Sequence, residues 1–332
     1  MEKVSSMNVK VAKYNKKINE SILDLHIKGN NINYVILNTI RRMVLSKIPI
    51  FAFKNIVITE NTSIFNNNYI KLRIENIPVL GIKNNYDFLP KKEIIENIDE
   101  NYTLDNQLFQ DNIDLNVNEN IDSLNLNQLT MYLQYENKSK DDVITVTTDD
   151  AIFYVSEKKV KSPYSNPIPI IKLNPGEKIS FSAITDLNIE NISAVYSPVS
   201  VIRCLEKSKN EFNLILESKG QIDEKRIITV AVLNIIKMLE DFIELIPDKN
   251  NSLEGTLDIE DGDHTIGNLI SFSMRKHKSV SFCGYNVPHP LGSNVNITYK
   301  ITSGKLKTIL SDVVDYNIKI YKNILKLISK IK

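Results

Sequence analysis

The 332-residue chain has little that would support a disulfide framework, a membrane span or a strongly charged surface. Its two cysteines, Cys204 and Cys283, cannot build a disulfide framework or a four-cysteine zinc site. Lys and Arg number 41 and Asp and Glu 40, so any nucleic-acid contact would have to be local rather than based on bulk charge. The sequence has no run of about 18 apolar residues and no apolar core near its N-terminus. We therefore expect an intracellular protein without a membrane span.

The same order of elements, strand, turn, helix and strand, occurs twice along the chain. In both copies apolar residues alternate in the first strand and recur at helical spacing in the helix. The first copy is expected at 21–27, 33–46 and 51–58, and the second at 253–260, 264–276 and 279–287.

A long amphipathic helix is predicted beside each copy, at 224–246 and at 303–332. The second of these helices also carries a stripe of four lysines. Such a stripe indicates either an acidic partner or membrane surface, or simply a solvated helix face. The lysines are Lys319, Lys322, Lys326 and Lys330.

The region between the two copies has a different character. Residues 98–128 are polar and lack periodicity, which predicts a long loop, whereas short alternating runs between 131 and 205 predict β-strands. A β-rich insert therefore splits the first unit, and residues before about 50 should pack with residues after about 206.

Three of the four histidines lie between 261 and 292, together with Cys283, Asp261 and Asp263, which raises the question of a metal or nucleophile site. On a helix, the 13 residues from His264 to His277 cover roughly 20 Å, too far for one zinc ion. On a strand, Cys283 and His289 are about 20 Å apart as well. We therefore predict a structural role for this cluster, with Cys283 as a small buried side chain.

Sequence motifs of phosphate-binding loops, dinucleotide folds, serine hydrolases and zinc proteases are absent. Gly262 and Gly267 flank a helix start that could bind an anion, but Asp263 would repel phosphate, so we expect Asp263 to cap the helix. Arg41 and Arg42 form an adjacent pair on an otherwise apolar helix. They either face solvent or lie at a packed surface, where a carboxylate or carbonyl, for instance from a partner protein, must bind them.

These residues resemble a known family. Residues 36–80, with the Arg-Arg helix, Pro49, Asn61-Thr62-Ser63 and the run from Arg73 to Pro78, are similar to the alpha-like subunits of multisubunit RNA polymerases. This family comprises the third subunit of the eukaryotic enzymes, its archaeal D-type counterpart and bacterial alpha. Three later segments are similar to the same proteins, around 147–150, 173–200 and 212–236.

The second copy resembles the smaller partner, which is the eleventh subunit of the eukaryotic enzymes and its archaeal L-type counterpart. The shared features are His264 to Asn268, Arg275, Gly284-Tyr285 and Pro288 to Leu291. The resemblance implies that one chain carries both halves of a heterodimer that is usually two polypeptides. Fused versions are known from large cytoplasmic DNA viruses, and a chain rich in Asn, Ile and Lys suits the AT-rich genome of such a virus.

The implied fold is α+β, with two strand–helix–strand dimerisation units paired within one chain. Residues 1–50 plus 206–247 would form the first dimerisation domain, 51–205 the β-rich insert domain and 248–332 the smaller second dimerisation domain. The implied function is a non-catalytic assembly platform of a DNA-dependent RNA polymerase, on which the two largest subunits dock.

The resemblance also implies roles for individual residues. Arg41, Arg42 and Arg73 are expected at the large-subunit interface. The intramolecular dimer interface is expected to contain Leu37, Ile40, Val44, Ile236, Leu239, His264, Ile266, Asn268, Leu269, Phe272, Leu310 and Val313.

The sequence departs from the family at its metal-binding loop. No cysteine occurs from 1 to 203, so we predict no zinc, no iron–sulfur cluster and no other cofactor. An acidic position of the family is replaced within Asn66-Asn67-Asn68, and the run from Arg73 to Pro78 lacks the family's glycine.

The expected partners are the two largest polymerase subunits and small polymerase subunits, with DNA reached only through the complex. The expected location is the host cytoplasm and the virion for a viral protein, and the nucleus or cytoplasm otherwise. Two other functions remain open: a free-standing nucleic-acid-binding protein that uses helix 303–332, and a metal-dependent hydrolase built on the histidine cluster.

Overall fold

The computed structural model describes most of the chain outside one long internal segment. The predicted loop at 98–128 lies outside the described residues except for its last position, as do 247–251 and Pro290-Leu291. The described ranges are 7–17, 20–82, 84, 128–155, 158–246, 252–260, 262–289 and 294–330.

Helices and strands alternate irregularly along the chain, and the expected α+β class is confirmed. The helices are α1 Tyr34–Ser46, α2 Asn67–Glu75, α3 Glu224–Glu244, α4 His264–Met274 and α5 Leu306–Ser329. The strands are β1 Met7–Lys17, β2 Glu20–Gly29, β3 Ile50–Asn61, β4 Leu129–Glu136, β5 Ile144–Thr147, β6 Ile152–Val155, β7 Lys158–Val160, β8 Pro169–Leu173, β9 Lys178–Asn188, β10 Val199–Ser208, β11 Glu211–Ser218, β12 Glu254–Ile259, β13 Val280–Asn286 and β14 Val295–Ile301.

Residue contacts divide the chain into two compact units. The split unit comprises Met1–Lys47, Val199–Ser218 and Asp223–Lys332, and the inserted unit comprises Ile48–Pro198 and Lys219–Ile222. We call the residues of the split unit up to 246 the first half and residues 252–330 the second half. Both predicted dimerisation domains fall in the split unit, so their separation into two domains stays a prediction.

The first half contains an antiparallel sheet with the order β1-β2-β11-β10. Side chains on one face of β2, such as Leu23 and Leu25, are fully buried and lie opposite Leu216 and Leu214 of β11. The predicted alternation in β2 is thus confirmed. Strand β1 was not predicted from the sequence.

Helix α1 follows β2, and local sequence signals set both of its ends. The Asn33 side chain accepts a hydrogen bond from the Ile36 N–H at 3.2 Å, which satisfies one free donor of the first turn. Six residues on one face are buried, and the helix ends shortly before Pro49. The prediction of a helix at 33–46 is confirmed within one residue.

The second half repeats this arrangement with a three-stranded sheet in the order β12-β14-β13. Leu257 of β12 and Ile297 of β14 lie opposite each other and are both buried. Strand β14, which we did not predict, is the central strand. Helix α5 begins at Leu306 rather than at 303, because the chain first turns through Gly304, whose φ of 92° favours glycine.

The inserted unit is mostly β, as predicted. It contains a five-stranded sheet with the order β3-β9-β4-β6-β7 and a two-stranded sheet, β5-β8. Buried side chains such as Phe53, Met131 and Phe181 form its core. Helix α2 was missed, although Asn66 caps it by accepting a hydrogen bond from the Tyr69 N–H at 2.8 Å. The asparagine run that replaces the family's acidic residue therefore begins a helix in this chain.

Gly267 in α4 is fixed by close packing, which leads to a stability prediction. A Cβ atom at this position would lie 2.6 Å from Cδ2 of Tyr285 and 2.8 Å from Cγ1 of Val295. Although alanine favours helices over glycine by about 1 kcal/mol, Gly267→Ala should lower the free energy of unfolding by about 1–3 kcal/mol through overpacking. Chemical denaturation measures this change.

The matched control for this prediction is Gly284→Ala. At Gly284 the nearest atom to an added Cβ is Cζ of Phe282 at 3.4 Å, an ordinary contact, so the variant should lose less stability. A Gly267→Ala variant as stable as the unchanged chain would show that the packing of α4 on its sheet is looser than described.

Candidate pairing interface

The four helices of the split unit form a closed ring of contacts. Helix α1 contacts α3, α3 contacts α5, α5 contacts α4, and α4 contacts α1. Two of these contacts, α1 with α4 and α3 with α5, join the first half to the second half. Helix α5 also contacts β1 of the first half.

Most of the residues that we expected at a dimer interface lie on these four helices and are buried. Three are not. Asn268 and Phe272 are half-buried, and His264 is exposed, with its ring edge-on to Tyr285 at 5.9 Å between centroids. The buried residues are Leu37, Ile40, Val44, Ile236, Leu239, Ile266, Leu269, Leu310 and Val313.

Arg42 joins the two halves through polar contacts. Its Nε–H donates a hydrogen bond to Oγ1 of Thr265 at 2.9 Å, and its Nη2 lies 3.6 Å from Oδ2 of Asp263. The Thr265 hydroxyl in turn donates to Asp263 at 2.8 Å. The carboxylate that a packed arginine requires is therefore supplied by the second half of the same chain, whereas the sequence had suggested a partner protein.

Asp263 has two roles in this arrangement. As predicted, it caps α4, because its Oδ1 accepts hydrogen bonds from the N–H groups of Thr265 at 2.7 Å and Ile266 at 3.3 Å. Its negative charge also lies at the positive end of the helix dipole, where it offsets the nearby guanidinium. The side chains of Arg42 and Asp263 are 37% and 36% exposed, so solvent weakens their attraction.

A second cross-half contact is deeply buried. The hydroxyl of Tyr321 in α5 donates to the backbone carbonyl of Ile36 in α1 at 3.3 Å. Burial raises the pKa of Tyr321, so this hydroxyl keeps its proton at neutral pH. We did not single out Tyr321 in the sequence, although it follows Val313 and Asn317 at four-residue spacing on the buried face of α5.

Asn317 is likewise a buried polar residue on the apolar face of α5. Its amide donates to the carbonyl of Val313 at 2.9 Å, and its Oδ1 accepts from the hydroxyl of Ser273 in α4 at 3.2 Å. The amide group is thus satisfied inside the helix ring, and it fixes the position of α5 against α4.

The other two arginines expected at a large-subunit interface are Arg41 and Arg73, and each donates hydrogen bonds to groups of its own unit. Arg41 donates from Nε to Asn38 at 2.9 Å within α1 and stays half-buried. In the inserted unit, Arg73 donates to the carbonyls of Ile170 at 2.8 Å and Pro169 at 3.0 Å.

His277 and Cys283 of the second half have different contact partners. His277 lies 3.6 Å from Asp312 and accepts from the Ser279 N–H at ring nitrogen Nδ1, while Cys283 is buried against Met274. Burial raises the pKa of Cys283 to about 11, against a smaller opposing effect of Arg275, so its thiol is a poor nucleophile at neutral pH. Within the described ranges, no three His, Cys, Asp or Glu side chains come together as a metal site.

The lysine stripe of α5 faces solvent. Lys319, Lys322, Lys326 and Lys330 are all exposed on the side opposite the buried face. Among the helices described here, none is long and apolar enough to cross a membrane.

Part of the split unit is similar to a known protein family. Residues 254–326, which include β12, α4, both other strands of the second half and most of α5, match the family model of the RNA polymerase Rpb3/Rpb11 dimerisation domain. The second half is thus similar to a class of dimerisation domains.

Three relatives extend the similarity beyond that domain. Over 93% of its length the chain is 25% identical to a protein of Acanthamoeba polyphaga mimivirus, provisionally described as a DNA-directed RNA polymerase subunit, of which 90% is covered. It is 29% identical over 59% of its length to the rpac1 subunit of DNA-directed RNA polymerases I and III of Dictyostelium discoideum, and it spans only 53% of that protein. It is 42% identical over 64 residues to the Rpo11 subunit of the RNA polymerase of Saccharolobus shibatae, which is 19% of this chain and 66% of that protein.

The chain is therefore a relative of the alpha-like subunits of DNA-directed RNA polymerases. The resemblance found in the sequence is confirmed, including its viral side, since the relative matched over nearly the whole chain is viral.

The buried hydroxyl of Tyr321 gives a test of the cross-half contact. Tyr321→Phe removes the hydrogen bond to Ile36 and leaves a buried carbonyl with one partner fewer, so the free energy of unfolding should fall by about 1 kcal/mol. Denaturant unfolding of the full chain measures the loss.

Tyr299→Phe is the matched control. Tyr299 is also fully buried, but its hydroxyl has no hydrogen-bond partner among the described residues. Removing it should leave stability unchanged or raise it. Equal losses for the two variants would mean that the Tyr321 hydroxyl does not hold α5 to α1.

Proposed function

We propose that the chain is a non-catalytic assembly subunit of a DNA-dependent RNA polymerase, in which the two halves of the split unit act as an intramolecular alpha-like heterodimer. The observation that carries the proposal is the closed ring of α1, α3, α5 and α4, which joins two copies of one strand–helix pattern. The match of the second half to a polymerase dimerisation domain supports it.

A single chain has a physical advantage in this role. Helix α3 ends at Glu244 and β12 begins at Glu254, so only a short stretch of chain separates the two halves. A short connection makes pairing an intramolecular event with an effective concentration in the millimolar range. The halves would then pair without depending on the cellular concentration of a separate partner.

The role also requires a surface for the two largest polymerase subunits. Of the three arginines expected there, Arg41 is the best candidate, because its described hydrogen bond is to Asn38 on its own helix and its side chain is half-exposed. Arg42 and Arg73 already donate to groups of this chain. Their contact with a large subunit stays a prediction, as does the binding of small polymerase subunits.

The remaining parts of the proposal concern chemistry and setting. We infer that the chain contributes no catalytic residue, needs no metal or cofactor, and meets DNA only through the assembled enzyme. The mimivirus relative supports a viral origin. We propose that such a protein acts in the host cytoplasm and is carried in the virion.

The exposed lysine stripe of α5 favours one other function, direct binding of nucleic acid by the isolated chain. Such binding would be tight and would weaken steeply with salt, because lysines that neutralise phosphates release counterions. A salt titration of the purified chain with duplex DNA distinguishes the two functions, since the assembly role predicts weak binding.

Affinity purification from the native source tests the assembly role. A tagged chain should recover the two largest polymerase subunits, because both dock on the paired halves. Mass spectrometry identifies the recovered proteins. Recovery of this chain without either large subunit would contradict the proposal.

The same experiment tests Arg41. Arg41→Ala should leave the fold intact and lower recovery of the second-largest subunit by roughly five-fold or more, the loss expected for an arginine in the centre of an interface. Lys71→Ala, which removes an exposed cation from α2, serves as the control and should leave recovery unchanged. Undiminished recovery with Arg41→Ala would refute the contact.

A further inference from the structure

Helices α1 and α4 correspond residue by residue. Each begins after an extended N-cap residue, Asn33 and Asp263, whose side chain accepts a hydrogen bond from the N–H three residues later. Each helix follows a strand and a turn. Every position of α1 therefore corresponds to the position 230 residues later in α4, as 33 does to 263.

The helix ring is unchanged when the halves are exchanged. Exchanging α1 with α4 and α3 with α5 turns the α1–α3 contact into the α4–α5 contact and leaves the α1–α4 and α3–α5 contacts as they are. This is the property of a two-fold pairing, in which a contact between residue i of one partner and residue j of the other recurs with the roles reversed.

The polar contact of Arg42 breaks this symmetry. Arg42, nine residues after its N-cap, reaches the N-cap of α4 and the residue two positions beyond it, Asp263 and Thr265. The three corresponding residues in the reversed contact are Phe272, Asn33 and Val35. The observed contact sets a cation against a carboxylate and a hydroxyl. The two-fold relation would set an aromatic ring against an amide and an aliphatic side chain at the other end.

We propose that this asymmetry makes the first half pair with the second half rather than with a second copy of itself. The proposal rests on the proposed intramolecular heterodimer and names the residues that choose its partner. The selecting residues are Arg42 on one side and Asp263 with Thr265 on the other.

Pairing of two first halves would be disfavoured by charge. Arg42 would face the N-terminus of another α1, where the backbone N–H groups carry partial positive charge and the cap, Asn33, is neutral. The guanidinium would find neither a carboxylate nor, at Val35, a hydroxyl. In the observed pairing the carboxylate of Asp263 offsets the helix dipole and accepts from Thr265.

Pairing of two second halves would be disfavoured by desolvation. The ring of Phe272 would cover the carboxylate of Asp263 in the other copy and donate no hydrogen bond to it. The cations near this ring, Lys276 and Arg275, lie against its own face, at 4.4 Å and 5.9 Å from the centroid. Each half therefore carries a group that matches the other half and opposes its own kind, the combination by which specific interfaces exclude wrong partners.

The test uses the purified full chain and charge reversal at neighbouring arginines. Arg42→Glu sets a carboxylate against Asp263, and Arg41→Glu makes the same charge change where the described hydrogen bond is to Asn38 of the same helix. Because the Arg42 and Asp263 side chains are each about a third exposed, Arg42→Glu should raise the equilibrium constant of unfolding about two- to five-fold more than Arg41→Glu does.

Asp263→Asn identifies the partner of Arg42. Asparagine is as good an N-cap as aspartate, so this background removes the charge and keeps the start of α4. The excess effect of Arg42→Glu should disappear in it. If Arg42→Glu unfolds the chain, Arg42→Gln replaces it, because this variant removes the cation without adding repulsion. The equilibrium constant of unfolding should again rise more than for the matching change at Arg41, but by a smaller factor.

Self-association separates partner choice from simple stabilisation. Light scattering after size-exclusion chromatography should show a larger share of associated chains for Arg42→Glu than for Arg41→Glu, because an anion at that position suits the N-terminus of a second α1. Equal effects of the two reversals, an excess that survives in the Asp263→Asn background, or unchanged self-association would each overturn the proposal. None of these measurements involves another polymerase subunit, so failure here leaves the recovery of the large subunits as a separate test.

Discussion

The burial of four amphipathic helices against one another is the constraint on which the split unit depends. Helices α3 and α5 have 21 and 24 residues, and each buries a continuous apolar face. Burying one large aliphatic side chain contributes about 1.5–3 kcal/mol, while a whole domain is stable by only about 5–15 kcal/mol. Exposing three or four side chains of the α3–α5 contact would therefore cost as much as a domain's entire stability, so each half needs the other.

Polar groups add orientation to this apolar interface. Tyr321, Asn317 and Arg42 each satisfy a specific acceptor or donor. A shifted helix would leave the buried groups of Tyr321 and Asn317 unsatisfied, and the partly exposed Arg42 would lose its specific partners to water. Their individual energies are small beside the buried apolar surface. Their contribution is to select one arrangement of the helices, and in the case of Arg42 we propose that they also select the partner. The assembly role that we propose would need such a fixed arrangement, because large subunits would have to meet surfaces of constant shape.

The sequence predicted the elements with strong periodicity and clear end signals. Helix α1, between Asn33 and Pro49, and the capping role of Asp263 were predicted because they depend on local hydrogen bonds and backbone restrictions. Strand β14 and helix α2 were missed. The alternation of Val295, Ile297 and Tyr299 in β14 is short, and the pairing with β12 and β13 on either side is what makes it a central strand. Helix α2 begins in an asparagine run, which is a composition typical of loops.

The candidate interface was predictable in its apolar part and not in its polar part. Residues such as Leu37, Leu239 and Leu310 could be placed because helical spacing alone marks a buried face. The partner of Arg42 could not, since Asp263 is more than two hundred positions away and only the packing of α1 on α4 brings the two side chains together. His264 was expected at the interface because it belongs to a family motif, but its side chain lies exposed beside Tyr285. A motif match therefore did not predict where this side chain lies.

The copy number of this chain in the polymerase tests the central claim most directly. If one chain supplies both alpha-like halves, quantitative mass spectrometry of the purified native enzyme should find one copy of the chain for each copy of the largest subunit. No separate small alpha-like subunit should be present. Two copies of the chain, or one copy together with a separate small alpha-like partner, would contradict the account.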